Sequence, residues 1–113
     1  MTLPSKGFEH YHAHVYFDQS TLEKATQLRQ RIADKFDLVL GRVHNKPVGP
    51  HPCWSYQVLF TQEVFEELIA WLDSHRDGLT VLLHPEAGEF LIDHTQRAGW
   101  LGEPVALNLG TKD

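Results

Sequence analysis

Cysteine, methionine, long apolar runs and clustered positive charge are all scarce in this chain. Cys53 is the sole cysteine among 113 residues, so an intramolecular disulfide framework is excluded, and such sparing use of cysteine fits a reducing, cytoplasmic setting. No stretch approaches the roughly 20 consecutive apolar residues that span a bilayer, and the leader MTLPSKGFEH has no apolar segment of signal-peptide type, so neither membrane insertion nor secretion is expected. Ten Lys plus Arg stand against fifteen Asp plus Glu, for a net charge of -5. Without a basic patch the chain lacks the footprint that nucleic-acid phosphates require. What remains is a single domain over residues 1–113, 42% hydrophobic and long enough to bury a core without metal or disulfide staples. The one excess is histidine, with eight residues. Histidine is the side chain most used for transition-metal ligation and for proton transfer near neutral pH.

The first periodic segment, His10 to Phe17, reads HYHAHVYF. Tyr11, Ala13, Val15 and Phe17 form one face of a strand; His10, His12, His14 and Tyr16 form the other. Asp18 and Ser20 offer caps for a helix from about Thr21 to Phe36, with Leu22, Ala25, Leu28, Ile32 and Phe36 at helical spacing. Leu38 to Val43 is a short apolar run. HNKPVGPHP, residues 44–52, holds three prolines and a glycine and must be a loop. Cys53 to Phe60 alternates again, with Trp54, Tyr56, Val58 and Phe60 on one face. Thr61 is placed to cap a second helix, Gln62 to His75, and Leu79 to His84 is a further strand. The predicted fold is therefore α+β, a ferredoxin-like βαββαβ unit. Right-handed crossovers give an antiparallel sheet in the order 4-1-3-2, with two helices on one face and an irregular C-terminal tail. An edge strand around Pro104 to Leu109 is an option for that tail.

In this arrangement the uncovered face carries His10, His12, His14, Ser55, Gln57 and His84. His12 and His14 leave the same side of a strand with Cα atoms about 7 Å apart, close enough for both imidazoles to reach one metal ion. His84, at the end of the last strand, abuts the first half of the first strand and would be a third ligand. Neutral nitrogen donors select zinc, iron, copper or nickel, and a three-histidine set leaves coordination positions open. The competing reading is that histidines simply tolerate a half-exposed sheet face. His10 and His75 fit surface roles, and Cys53 fits an inert buried thiol. The 41–52 loop adds His44 and His51, with Arg42 and Lys46 able to meet a carboxylate. The tail adds Glu86, Glu89, Asp93, His94 and Arg97 if it folds onto the open face.

His12-Ala13-His14-Val15-Tyr16-Phe17-Asp18, Gly49-Pro50-His51-Pro52, Ser55-Tyr56-Gln57, His84-Pro85, Asp93-His94 and Trp100-Leu101-Gly102 follow one another over nearly the whole chain. From about Tyr11 to Leu107 the sequence resembles the DOPA 4,5-dioxygenase family. The resemblance implies a non-haem, metal-dependent extradiol dioxygenase that opens the ring of a catechol such as L-DOPA with molecular oxygen. Fe(II) is the expected cofactor, with zinc or another divalent metal able to occupy the purified protein. The family's histidines carry over onto His12, His14, His51, His84 and His94. On this reading His12, His14 and His84 form the metal set, with His51 able to replace one of them, and His94 and His51 are the acid/base groups. The sequence shows no obvious carboxylate for a two-histidine-one-carboxylate triad. The alternatives are a zinc-binding hydrolytic domain, a small-molecule-binding module without chemistry, and a ferredoxin-like dimer whose open sheet is only an interface. A homodimer is expected on any of these readings, because the open face offers surface to a symmetric partner.

Overall fold

Strand β1, His10–Phe17, is the centre of the molecule. A computed structural model describes residues 1–110, so the last three positions of the expected 1–113 domain lie outside the described residues. Alternation along β1 sends Tyr11, Ala13, Val15 and Phe17 into the hydrophobic core, while His12, His14 and Tyr16 leave from the opposite face. Strand β3, Trp54–Thr61, pairs antiparallel on one side of β1, and β4, Thr80–Pro85, pairs antiparallel on the other. Two short strands complete the sheet: β2, Val39–Leu40, along β3, and β5, Gly99–Leu101, along β4.

Helices α1, Leu22–Lys35, and α2, Phe65–His75, cover the core face. Ala25, Leu28 and Ile32 of α1 and Phe65, Leu68, Ile69 and Leu72 of α2 join Tyr11, Val15, Tyr56, Val58, Val81 and Leu83 in one buried cluster. The turn into α1 is closed by a reciprocal cap in which the Thr21 amide donates to Asp18 Oδ1 at 3.1 Å and the Asp18 amide donates to Thr21 Oγ1 at 2.9 Å. Buried Tyr56 ties α1 to the sheet by donating its hydroxyl hydrogen to the Ala25 carbonyl at 2.8 Å.

Several expectations need correction. The sheet has five strands, not four, in the order β2-β3-β1-β4-β5: the four expected strands keep the relative order 4-1-3-2, and β5 is added beside β4. Its added strand is Gly99–Leu101 instead of a segment within 104–109. Gly102, at φ 83°, turns the chain away after Leu101, and Pro104 has no N–H to give a ladder. The tail is not irregular throughout, because α3, Phe90–Asp93, forms a single helical turn on the histidine side of the sheet. Helices therefore do not lie on one face only. Thr61 makes no side-chain cap to the turn that follows it. The run from Leu38 to Val43 yields only the two residues of β2. Past them the Gly41 carbonyl is taken by Arg29, whose Nε and Nη2 donate to it at 3.0 and 2.8 Å.

The leader is also more ordered than its polar composition suggests. Thr2 and Trp100 exchange backbone hydrogen bonds of 2.9 and 2.7 Å, the Ser5 amide donates to the Arg97 carbonyl at 2.9 Å, and Tyr11 donates its hydroxyl hydrogen to the Ser5 carbonyl at 2.7 Å. Gly99 makes this approach possible: a Cβ there would overlap the Thr2 carbonyl and the Pro4 nitrogen. Gly99→Ala is therefore expected to destabilise the fold by about 1–3 kcal/mol, as overpacking against backbone does. Thermal melting checks the loss, and hydrogen exchange at Thr2 and Ser5 should show the leader released. An unchanged melt together with unchanged protection would contradict this account.

Candidate metal centre

Three histidines from two neighbouring strands converge. The β1–β4 register sets His12 directly opposite His84 and His14 opposite Leu82, so one face presents three imidazoles in a triangle. Ligand atoms of His12, His14 and His84 all lie within 4.8 Å of one another, and the Nε2 atoms of His14 and His84 are 3.0 Å apart. An ion about 2.1 Å from each of two nitrogens at near a right angle holds them about 3.0 Å apart, so this pair fits one transition-metal ion. The tautomers fit as well. His84 Nδ1 lies 2.8 Å from the Pro85 carbonyl, which can only accept, so the ring hydrogen sits on Nδ1 and Nε2 keeps its lone pair. Glu86 Oε2 lies 3.2 Å from His12 Nδ1 at the rim of the site. Glu86, one of the tail carboxylates the sequence offered to the open face, is thus the one that stands beside His12.

His51 and His94 complete a closed array. Ring centroids are 4.0 Å apart for His51 and His14, 5.1 Å for His14 and His84, 4.0 Å for His84 and His94, and 6.5 Å for His94 and His51. The proline-stiffened 44–52 loop turns His51 inward through a bend closed by the His51 amide on the Val48 carbonyl at 3.0 Å. There His51 Nδ1 meets the Tyr16 hydroxyl at 2.7 Å in a buried contact. Helix α3 delivers His94, whose Nδ1 lies 2.8 Å from the Phe90 carbonyl. Buried His94 Nε2 has no hydrogen-bond partner among the described residues.

A buried carboxylate organises the segment that carries His94. Asp93 Oδ2 accepts from the amides of Ala87 and Glu89 at 2.9 and 3.3 Å, and Asp93 Oδ1 takes a charge-assisted hydrogen bond from Arg97 Nη1 at 3.0 Å. Arg97 also reaches Glu89 at 2.9 Å and lies over the Phe8 ring. Asp93 is thus spent on holding its loop together and does not face the imidazoles as a ligand.

Burial is the main cause of the low proton affinity of His14, His51 and His84, reinforced by repulsion among the neighbouring rings when charged. His14 is held well below the ordinary histidine range by burial, then by His51 and His84. Burial and His94 push His51 down to about 4 and His84 down to about 3. Neutral imidazoles are the form that binds metal. Beside His14, a cleft of about 160 Å³ is lined by His44, Val48, His51, Ser55 and Gln57. It is concave, opens next to the cluster, and offers both hydrogen-bonding and apolar walls.

The predicted residues divide clearly. His12, His14, His84, His51 and His94 stand together. His10 is exposed at the start of β1, and His75 lies at the far end of α2, stacked on Trp71 with its Nδ1 2.7 Å from the Trp71 carbonyl. Arg42 and Lys46 are both exposed. Cys53 is half-buried instead of fully buried, with its thiol pKa raised by burial and by Asp18, which leaves it a poor nucleophile. His44, offered by the 41–52 loop, lines the cleft, whereas Tyr16 was given no role in the site. Tyr16 was legible as a member of the histidine face, but its contact with His51 depends on how the loop closes.

Relatives bear on this geometry. Residues 11–111 match the sequence profile of the Dopa 4,5-dioxygenase family. The chain is 33% identical over 117 residues to the DOPA 4,5-dioxygenase of Amanita muscaria, covering 96% of this chain and 51% of that protein. It is 40% identical over 111 residues to an uncharacterized 21.2 kDa protein of Botryotinia fuckeliana, covering 88% and 61%. This chain thus spans about half to three-fifths of the length of these two relatives. A crystal structure of a candidate dioxygenase from Nostoc punctiforme superimposes with a TM-score of 0.89 at 41% identity, covering 91% of this chain and 90% of that one.

The lowered proton affinities set the direction of an acid effect. In the unfolded chain these histidines take up protons near pH 6.5, whereas in the folded protein His51 and His84 remain neutral until about pH 4 and 3. Below pH 6.5 the unfolded state therefore binds more protons, and their contribution to stability is lost progressively down to those values. Each such histidine contributes up to about 1.4 kcal/mol per pH unit. Calorimetric melting of metal-free protein should show the midpoint falling steeply from pH 7 to 5, with a shallower slope for His84→Gln. A flat profile over that interval would show that the rings are not held neutral.

Proposed function

Because this chain belongs to the Dopa 4,5-dioxygenase family, we propose that it is a metal-dependent extradiol dioxygenase that opens the ring of a catechol such as L-DOPA with molecular oxygen. The observation that carries this reading is the convergence of His12, His14 and His84 on the sheet face opposite the core, with ligand atoms within 4.8 Å. Those three residues would hold the ion, for which ferrous iron is the proposed identity. When bound, such an ion supplies coordination positions for a chelating diol and for oxygen, together with the one-electron chemistry that lets the two react. In the overall reaction the ring carbon–carbon bond beside the two hydroxyls breaks, and both oxygen atoms end in the ring-opened product.

The chain's own residues supply the remainder. The cleft beside His14 receives the planar ring, with Ser55 and Gln57 as polar wall and Val48 as apolar wall. His94, with a buried Nε2, takes the proton from a catechol hydroxyl, and His51 acts across the array as its acid/base counterpart. Their burial keeps bulk water from quenching these transfers. A homodimer acting in the cytoplasm completes the proposal. No helix among the described residues is long and apolar enough to cross a membrane.

Anaerobic loading with ferrous iron, followed by admission of oxygen and a panel of catechols, tests the reading. A yellow ring-opened semialdehyde formed with stoichiometric oxygen uptake is expected, and its absence across the panel would exclude the activity. His12→Ala and His84→Ala should each abolish metal binding and turnover without unfolding the domain, while His75→Ala should do neither. His94→Ala should keep its metal and lose roughly 10²–10⁴ in turnover; if it loses metal instead, His94 is a ligand. Light scattering at micromolar concentration should give the mass of a dimer, and a monomer alone would remove that part of the proposal.

A further inference from the structure

The two histidines that flank the cluster are not equivalent, and Tyr16 is the reason. A neutral imidazole carries one ring hydrogen, and whatever its Nδ1 meets decides which nitrogen holds it. His94 Nδ1 faces the Phe90 carbonyl at 2.8 Å. A carbonyl can only accept, so His94 carries its hydrogen on Nδ1 and presents a bare Nε2. His51 Nδ1 faces a hydroxyl, that of Tyr16, at 2.7 Å. A phenol is a far stronger acid than a neutral imidazole N–H, and an imidazole nitrogen is the better acceptor, so the short contact runs from the Tyr16 hydroxyl to Nδ1. The His51 hydrogen is then on Nε2.

We propose that Tyr16 is a positioning residue that holds His51 in the Nε2–H form, so that the array presents a hydrogen-bond donor on His51 facing an acceptor on His94. The two rings lie 6.5 Å apart across the His14–His84 pair. A vicinal diol seated over that pair meets opposite polarities at its two sides. The hydroxyl toward α3 gives its proton to His94 Nε2, and an oxygen gaining charge toward the 44–52 loop accepts from His51 Nε2–H. This use of the tautomers rests on the dioxygenase reading, whereas the tautomers themselves do not. Tyr16 is buried and lies outside the cluster packed beneath α1 and α2.

The test is a long-range proton–nitrogen spectrum of histidine-labelled protein at pH 8, where ordinary imidazoles are neutral, taken metal-free and zinc-loaded. Wild type should show Nε2–H at His51 and Nδ1–H at His94. Tyr16→Phe should move His51 toward the Nδ1–H form and leave His94 unchanged. In the iron-loaded enzyme it should lower turnover roughly tenfold at unchanged metal content. A wild-type His51 carrying Nδ1–H would overturn the proposal without any variant. So would a Tyr16→Phe protein with an unaltered His51 tautomer. Failure of wild type to open any catechol would instead strike the reading of the reaction and leave the tautomer result to be judged by the spectra alone.

Discussion

The register of β1 between its two antiparallel partners is the constraint on which the rest of this molecule depends. A slip of one residue would exchange the faces, driving His12, His14 and Tyr16 into the core and Tyr11, Ala13, Val15 and Phe17 out of it. Burial of those apolar residues therefore fixes where the imidazoles point. Pairing with β4 then sets His12 opposite His84. The site is built on the central strand of the sheet, and its precision follows from core packing on the other side of the same strand.

Placing five imidazoles in one buried or half-buried group has a cost that the surroundings offset unevenly. Uncharged rings avoid the large penalty of buried charge, but each still loses water. Hydrogen bonds at Nδ1 recover part of this for His84, His94 and His51, through Pro85, Phe90 and Tyr16. In each of these three rings Nδ1 is the anchored nitrogen. An ion bound to His14 and His84 would take the place of the hydrogen bond between their Nε2 atoms and stabilise the folded state by mass action.

Distant parts of the chain serve the same end. The leader pairs with Trp100 and with the backbone of Arg97, and Arg97 grips Asp93, one residue before His94. Gly99 permits that contact because it has no side chain in the way. On the other flank, the Asn108 amide donates to the Pro50 carbonyl at 2.8 Å, next to His51. The two residues that flank the histidine triangle are thus held by segments from both ends of the described chain. Their geometry depends on the completed fold more than that of His12 and His14 does.

Local pattern was enough for β1, the two long helices, β3 and β4, because alternation and helical spacing are properties of neighbouring residues and the burial that selects them is strong. It was also enough to put His12 and His14 on one face and to bring His84 near them, since strand order and direction follow from crossover handedness. The tail was opaque: α3 is a single turn held by Asp93 and Arg97, and β5 is three residues long, too short for any period to register. The Tyr16–His51 contact and the tautomers it sets were equally hidden, and Glu86 and His44, though named as candidates, could not be assigned to His12 and to the cleft wall. Each joins residues from separate loops and strands. Sequence alone determined which face of β1 would carry imidazoles, because side-chain direction in a strand is a local matter. Only the tertiary structure decided which histidines meet and which nitrogen each one offers, because those depend on loop closure and on hydrogen-bond partners remote in the chain.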